Sequence, residues 1–182
     1  MKPYKFGLIL GRFQTFHIGH KQITDAAIKL CGKVGVFIGS AQESGTEKNP
    51  FTFEQRKEMI EKVCRGKVDV YPIFDKGYGN NSKWGEYVIE CVRENTGTTP
   101  DLFISGREER RVDWFDGIEG LAMAELYIPK TIDISASRLR EYMLRADFES
   151  WSRYIPKELW GYFDSMANTV RRSYSNKKTE SI

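Results

Sequence analysis

Gly11-Arg12-Phe13-Gln14-Thr15-Phe16-His17-Ile18-Gly19-His20 follows the apolar run Lys5 to Leu10 and opens a segment, Gly19 to Leu30, whose apolar residues recur at helical spacing. A β-rich run, a polar turn and a helix are the first unit of a parallel sheet covered by helices. Both histidines of the chain fall inside this decapeptide. At a strand's C-terminal end and a helix's N-terminus, free backbone N–H groups and the helix dipole attract anions. Imidazoles there can donate to anionic oxygens, Arg12 adds a fixed cation, and Gly11 and Gly19 let a ligand come close to the backbone. The plain alternative is a pair of surface histidines, or a satisfied buried one. A metal pair would use the same three-residue spacing, but no cysteine or second ligand pair lies nearby. Neither Gly-x-Gly-x-x-Gly nor Gly-x4-Gly-Lys-Ser/Thr occurs at this turn, so the dehydrogenase and P-loop readings lose their defining parts.

Outward from the turn the alternation continues. Val34 to Ile38, Val68 to Ile73, Leu102 to Ile104 and Glu125 to Ile128 read as further strands. Phe53 to Val63 reads as a helix, with Thr52 and Gln55 in the form of a capping box, and Trp84 to Arg93 as another, with Trp84, Val88, Ile89 and Val92 on one stripe. Ser137 to Leu144 and Lys157 to Val170 are helical and follow the last strand. The expected fold is α/β: a doubly wound, Rossmann-like parallel sheet of about five strands with a helical C-terminal appendage. Two polar stretches, Gly39 to Pro50 and Asp75 to Lys83, follow strands where an open α/β sheet binds its ligands, and are the expected walls of a site. Arg171 to Ile182 has almost no apolar content and reads as a solvated tail.

Composition narrows the classes. The 182 residues suit one domain, and a 40% hydrophobic share with 6 prolines suits a globular chain rather than a disordered one. A net charge of +3 gives no support to nucleic-acid binding, which needs many phosphate-neutralising cations. Lys2 and Lys5 precede an apolar stretch too short for a signal segment or a membrane span, so the chain is expected in the cytoplasm. Cys31, Cys64 and Cys91 are far apart and read as packed thiols of a reducing compartment.

His17-Ile18-Gly19-His20 is the HIGH signature, and the turn resembles that of the nucleotidyltransferase superfamily. The longer string Gly-Arg-Phe-Gln-x-Phe-His-x-Gly-His is similar to that of archaeal-type nicotinamide mononucleotide adenylyltransferases and related domains fused to other NAD-salvage enzymes. Ser40-Ala41-Gln42, Asn49-Pro50-Phe51-Thr52 with Arg56, Asn81-Ser82-Lys83-Trp84, Ser105-Gly106, and Ile134-Ser135-Ala136-Ser137-Arg138-Leu139-Arg140 occur in the family's order. The likeness covers about residues 5 to 163.

The resemblance implies transfer of AMP from ATP to nicotinamide or nicotinic acid mononucleotide, with Mg²⁺ entering alongside ATP and no metal held by protein side chains. It implies His17, His20, Arg12 and Arg140 as the catalytic set. The ATP set would add Gly11, Phe13, Gln14, Gly19, Lys48, Ser105, Gly106, Ser135 and Ser137, and Phe13, Ser40, Gln42, Asn81 and Trp84 would meet the mononucleotide. It also suggests a homo-oligomer, with no nucleic-acid or membrane partner, and one domain over residues 1–170: a core over about 5–145, then C-terminal helices. The residues agree with it. Ser135, Ser137 and Arg140 open a helix with hydroxyls, free N–H groups and a guanidinium, as a triphosphate would need. A tryptophan face and an asparagine amide suit a flat carboxamide-bearing ring, although Trp84 on its stripe can equally be core.

Two departures stand out: Thr15 where the family usually has proline, and Arg107, in a charged run to Arg111, where asparagine is usual. Class I aminoacyl-tRNA synthetases share the HIGH turn, but the Lys-Met-Ser-Lys-Ser string and room for a tRNA-binding domain are missing. A phosphopantetheine adenylyltransferase, a cytidylyltransferase and a non-catalytic nucleotide sensor remain as alternatives.

Overall fold

β1 (Tyr4–Gly11) occupies the centre of a five-stranded parallel sheet in the order β3-β2-β1-β4-β5, with β2 at Cys31–Ile38, β3 at Asp69–Pro72, β4 at Leu102–Ser105 and β5 at Ala124–Tyr127. Ile9 faces Val36 on one side and Ile104 on the other. This computed structural model describes residues 1–78, 80–106 and 112–179, so Gly79 and the 107–111 run, Arg107 included, lie outside the described residues.

Both sheet faces are covered, as the continuous apolar strands demand. Ile9, Val36, Ile38, Leu102 and Ile104 point into one cluster, closed by α1 (Ile18–Leu30), α2 (Phe53–Cys64) and the C-terminal helices. Phe6, Leu8, Phe37 and Phe103 alternate to the other, closed by α3 (Asn81–Thr96) and the short α4 (Val112–Phe115). Burying one such large apolar side chain contributes about 1.5–3 kcal/mol. The three cysteines are buried free thiols, and burial pushes the Cys31 thiol up to about 11, where it is inert.

The chain winds outward through β2 and β3, then returns to lay β4 against β1. That reversal opens a crevice beyond the carboxyl ends of β1 and β4.

Local signals decide the helix ends. Thr52 and Gln55 form the capping box that starts α2. Asn80 caps α3 by accepting from the N–H groups of Ser82 and Lys83, so this helix begins three residues before Trp84. After β5 come α5 (Ala136–Leu144), α6 (Phe148–Ser152), a 3₁₀ segment (Lys157–Tyr162) and α7 (Phe163–Thr179). The expected helix over Lys157 to Val170 is therefore two elements, and α7 runs nine residues beyond Val170 into the segment expected as a solvated tail. Ser173 is buried, and Arg171 donates to the Met143 carbonyl of α5, contacts the polar composition alone could not reveal. No helix among the described residues is long and apolar enough to cross a membrane.

Candidate active site

The β1–α1 turn is held from inside. His17 is the N-cap of α1: its Nδ1 accepts from Gly19 N–H at 3.1 Å, while His20 Nδ1 accepts from His17 N–H at 3.3 Å. The two imidazoles stack with centroids 3.8 Å apart. With each Nδ1 used as an acceptor, the hydrogen-bond network assigns the proton of each neutral ring to Nε2. Burial, reinforced by the positive charge of Lys130, pulls the His17 pKa down to about 4, so at neutral pH this ring is an uncharged donor. A Cβ at Gly19 would lie 3.0 Å from the His17 ring, and one at Gly11 would lie 3.0 Å from Phe13. These glycines leave room for rings of the turn itself as well as for a ligand. Phe13, with φ 51°, and Ser40, with φ 49°, occupy the left-handed region, uncommon for residues with a Cβ and concentrated at functional sites.

Two side chains fasten the turn to its surroundings. Gln14 exchanges two hydrogen bonds with the Phe51 backbone, each of 3.0 Å, so its amide serves the framework. Arg56, fully buried on α2, donates to the carbonyls of Arg12, Gly39, Ser40 and Thr52 at 3.0–3.1 Å. Burial lowers its pKa to about 10, which leaves it protonated at neutral pH. The guanidinium thus ties the β1–α1 turn to the loop after β2.

Beyond the strand ends lies a cavity of about 540 Å³, within the range of small-molecule sites. Arg12, Phe13, Gln14, His17, Gly19, His20, Lys48, Gly106, Ser135, Ser137 and Arg140 all line it, which brings together residues up to 128 positions apart. Ser135 caps α5 by accepting from Arg138 N–H. Arg140, 7% exposed, donates to the Gln14 carbonyl at 3.1 Å and to Ser137 Oγ at 3.2 Å, and its Nε has no partner among the described residues. Lys48 is exposed in a loop closed by Gly45–Pro50 and Thr46–Asn49 backbone bonds. Lys130, which the sequence did not single out, joins the lining from the β5–α5 connection. Among the described residues no Asp or Glu lines this cavity. Its donors suit an anion and give a bare cation little to bind, and no described His, Cys, Asp or Glu cluster of metal-site size is present.

A second cavity, of about 210 Å³, adjoins the first and shares Arg12, Phe13, His20, Ile23 and Gly106 with it. Gly11 and Ser105, expected on the ATP side, line only this smaller cavity, together with their strand neighbours Ile9, Leu10, Phe103 and Ile104. Ser40 and Trp84 line it as expected. Trp84 is half-buried: it packs on the core, tilts against Tyr87 at 5.6 Å and meets Trp114 edge-on at 6.2 Å, so it is both core and wall. Gln42 and Asn81 line neither cavity. Gln42 is bonded to Asp75, and Asn81 is exposed in the first turn of α3, while its neighbour Asn80 does the capping. Asp75 and Trp114 are wall residues that the sequence did not pick out, although Asp75 opens one of the two loops expected to wall a site.

The chain belongs to the cytidylyltransferase-like family, which it matches over residues 8–142. Within that family it is 31% identical over 156 residues to the nicotinamide-nucleotide adenylyltransferase of Methanocorpusculum labreanum, covering 84% of this chain and 86% of the relative. It is 29% identical to that of Methanococcus maripaludis, covering 90% and 92%. Among solved structures, a bifunctional NMN adenylyltransferase/ADP ribose pyrophosphatase from Francisella tularensis, complexed with AMP and an Mn ion, superposes with a TM-score of 0.78 at 20% identity. That match covers 97% of this chain and 53% of the Francisella protein, so this chain spans about half of it. At that identity the likeness bears on the fold, and it agrees with the five-stranded parallel sheet.

Proposed function

We propose that this chain is a nucleotidyltransferase that moves the adenylyl group of ATP onto the phosphate of nicotinamide mononucleotide, giving NAD and pyrophosphate. The observation that carries this is the pairing of cavities. One is rich in cations and N–H donors and has no described carboxylate, the other is walled by rings, and they meet at Arg12, Phe13 and His20. The archaeal relatives named above support the substrate pair.

ATP would take the larger cavity and the mononucleotide the smaller. A phosphate oxygen of the mononucleotide attacks the α-phosphorus in line and forms the new P–O bond. The bond from that phosphorus to the oxygen bridging to the β-phosphate breaks, and pyrophosphate leaves with that oxygen. No protein nucleophile takes part, so catalysis rests on positioning and on neutralising charge as it builds. His17 and His20 donate to the α- and β-phosphates. Lys48, Ser135, Ser137 and Arg140 hold the outer phosphates. Arg12, on the wall common to both cavities, is assigned to the point where the two reacting phosphates meet. Trp84 offers its face to the pyridine ring. Magnesium would arrive as the ATP complex, held by triphosphate oxygens, and no step is assigned to it. The same reading makes this a cytoplasmic, homo-oligomeric enzyme of one domain.

Pyrophosphate release with ATP and Mg²⁺ tests the proposal against nicotinamide mononucleotide, nicotinic acid mononucleotide, phosphopantetheine and glycerol 3-phosphate, each repeated with CTP. A dinucleotide from either of the first two is the expected result. Silence with both, with turnover of another phosphate, overturns it.

A further inference from the structure

Two acidic or basic side chains with a formal charge line the smaller cavity among the described residues: Arg12, at the wall shared with the larger cavity, and Asp75, which belongs to the smaller one alone. Much of the remaining wall is apolar, with Ile73, Phe103, Trp84 and Trp114. Outside the wall shared with the larger cavity, the described lining therefore carries an acid where a site for an anionic ring would carry a base. Asp75 is also held in place. Gln42 Nε2 donates to its Oδ2 at 3.3 Å, and its backbone N–H donates to Gln42 Oε1 at 3.2 Å. Of the nearby cations, Lys76 sits over the Tyr87 ring at 5.7 Å, and Arg56, which feels the Asp75 charge, is buried with its N–H groups on backbone carbonyls.

We infer that Asp75, positioned by Gln42, makes the acceptor cavity select a pyridine ring bearing an uncharged carboxamide over one bearing a carboxylate. This rests on the adenylyl-transfer reading above and deepens it. A carboxamide N–H can donate to Asp75. Asp75 is exposed, so water screens part of its charge, but a ring carboxylate would still bring two like charges together beside the apolar wall, and neither could donate to the other. Discrimination then comes from an element that repels the wrong ring as much as from one that attracts the right one. Gln42, which the sequence places among the substrate contacts, acts one step removed, by fixing the carboxylate that meets the ring.

The test compares kcat/KM for nicotinamide and nicotinic acid mononucleotides at saturating ATP, in the unmodified chain and in Asp75→Asn, Asp75→Glu and Gln42→Ala, with thermal unfolding as the check on folding. The unmodified chain is expected to favour the nicotinamide substrate by about tenfold or more. Asp75→Asn should raise kcat/KM for the acid and bring the two within about threefold, because an amide can donate to a carboxylate. Asp75→Glu should keep the preference, and Gln42→Ala should narrow it while leaving the sign. An unmodified chain that favours the acid, or an Asp75→Asn variant that loses both substrates equally, overturns the inference, the latter because a ribose contact or a folding role would act on both alike. Turnover with an unmoved ratio fails this inference alone. Silence of the unmodified chain with both acceptors fails the adenylyl-transfer reading and this inference with it.

Discussion

The two cavities are made in different ways. The larger gathers most of its donors from two short stretches, residues 12–20 and 135–140, with Gln22, Lys48, Lys130 and Thr131 added at the side. The smaller is assembled from the ends of β1 and β4, the turn after β2, the loop after β3, the start of α3 and α4, each giving one to a few residues. Holding phosphate requires N–H groups fixed in direction, and a turn running into a helix supplies several at once. Holding a flat ring requires faces at the right separation, which side chains from any element can provide. Charge recognition is therefore local in sequence here, and shape recognition is distributed.

That contrast can be broken at either cavity. The largest effect is expected from His20→Ala, which removes a fixed donor at the shared wall and should lower kcat by about 10²- to 10³-fold with circular dichroism unchanged. A folded variant with an unaltered rate would remove His20 from the chemistry. Gly85→Ala tests the distributed wall next. A Cβ there would lie 1.5 Å from the Trp114 carbonyl oxygen, so α3 and α4 must separate, at a cost of about 1–3 kcal/mol. A lower melting temperature and a raised acceptor KM with an unmoved ATP KM are expected; equal rises in both KM values would mean that the cavities are not built separately. Trp84→Ala should raise the acceptor KM about three- to tenfold, the value of one aromatic contact, and leave that of ATP alone. Isothermal titration with each substrate checks the split.

The smallest effect concerns protonation of the larger cavity. The chain has two histidines, so ring resonances in NMR are simple to follow, and a His17→Gln variant assigns them. The His17 ring is expected to titrate near pH 4, below its ordinary 6.5, because burial disfavours the cation. The unfolded chain then binds a proton that the folded one refuses. The stability from neutral His17 is complete above about pH 6.5 and lost as pH falls towards about 4. Urea denaturation across that window should show the slope in the unmodified chain and less of it in His17→Gln, and bound ATP should move the His17 midpoint upward. A midpoint near 6.5 in the free chain would mean that the ring is solvated.

The same contrast explains what could be read ahead of the structure. All five strands were legible to within a few residues: β1, β2 and β4 hold buried apolar runs, and the half-exposed edge strands β3 and β5 still follow the strand–helix alternation. Most of the expected residues that line the larger cavity could be picked out together because strand, turn and cap are neighbours in the chain. Asp75 and Trp114 were not, since nothing local distinguishes a wall aspartate from a solvated one, and α4 is a four-residue helix just after a charged run. Gln42 was expected to touch the substrate, yet it lines neither cavity and bonds instead to Asp75, 33 positions away, a contact that no local pattern signals. The extent of α7 was hidden because tertiary contacts of Arg171 and Ser173 outweigh a polar composition.

Arg56 holds carbonyls from both rims at once, Arg12 on the turn common to the two cavities and Ser40 on the wall of the smaller. A shift of either rim is therefore transmitted through one planar, fivefold donor with few ways to rearrange. By thermodynamic linkage, whatever factor one ligand imposes on the other's affinity must be returned in full. Arg56, which lines neither cavity, is a contact that the rims of both have in common.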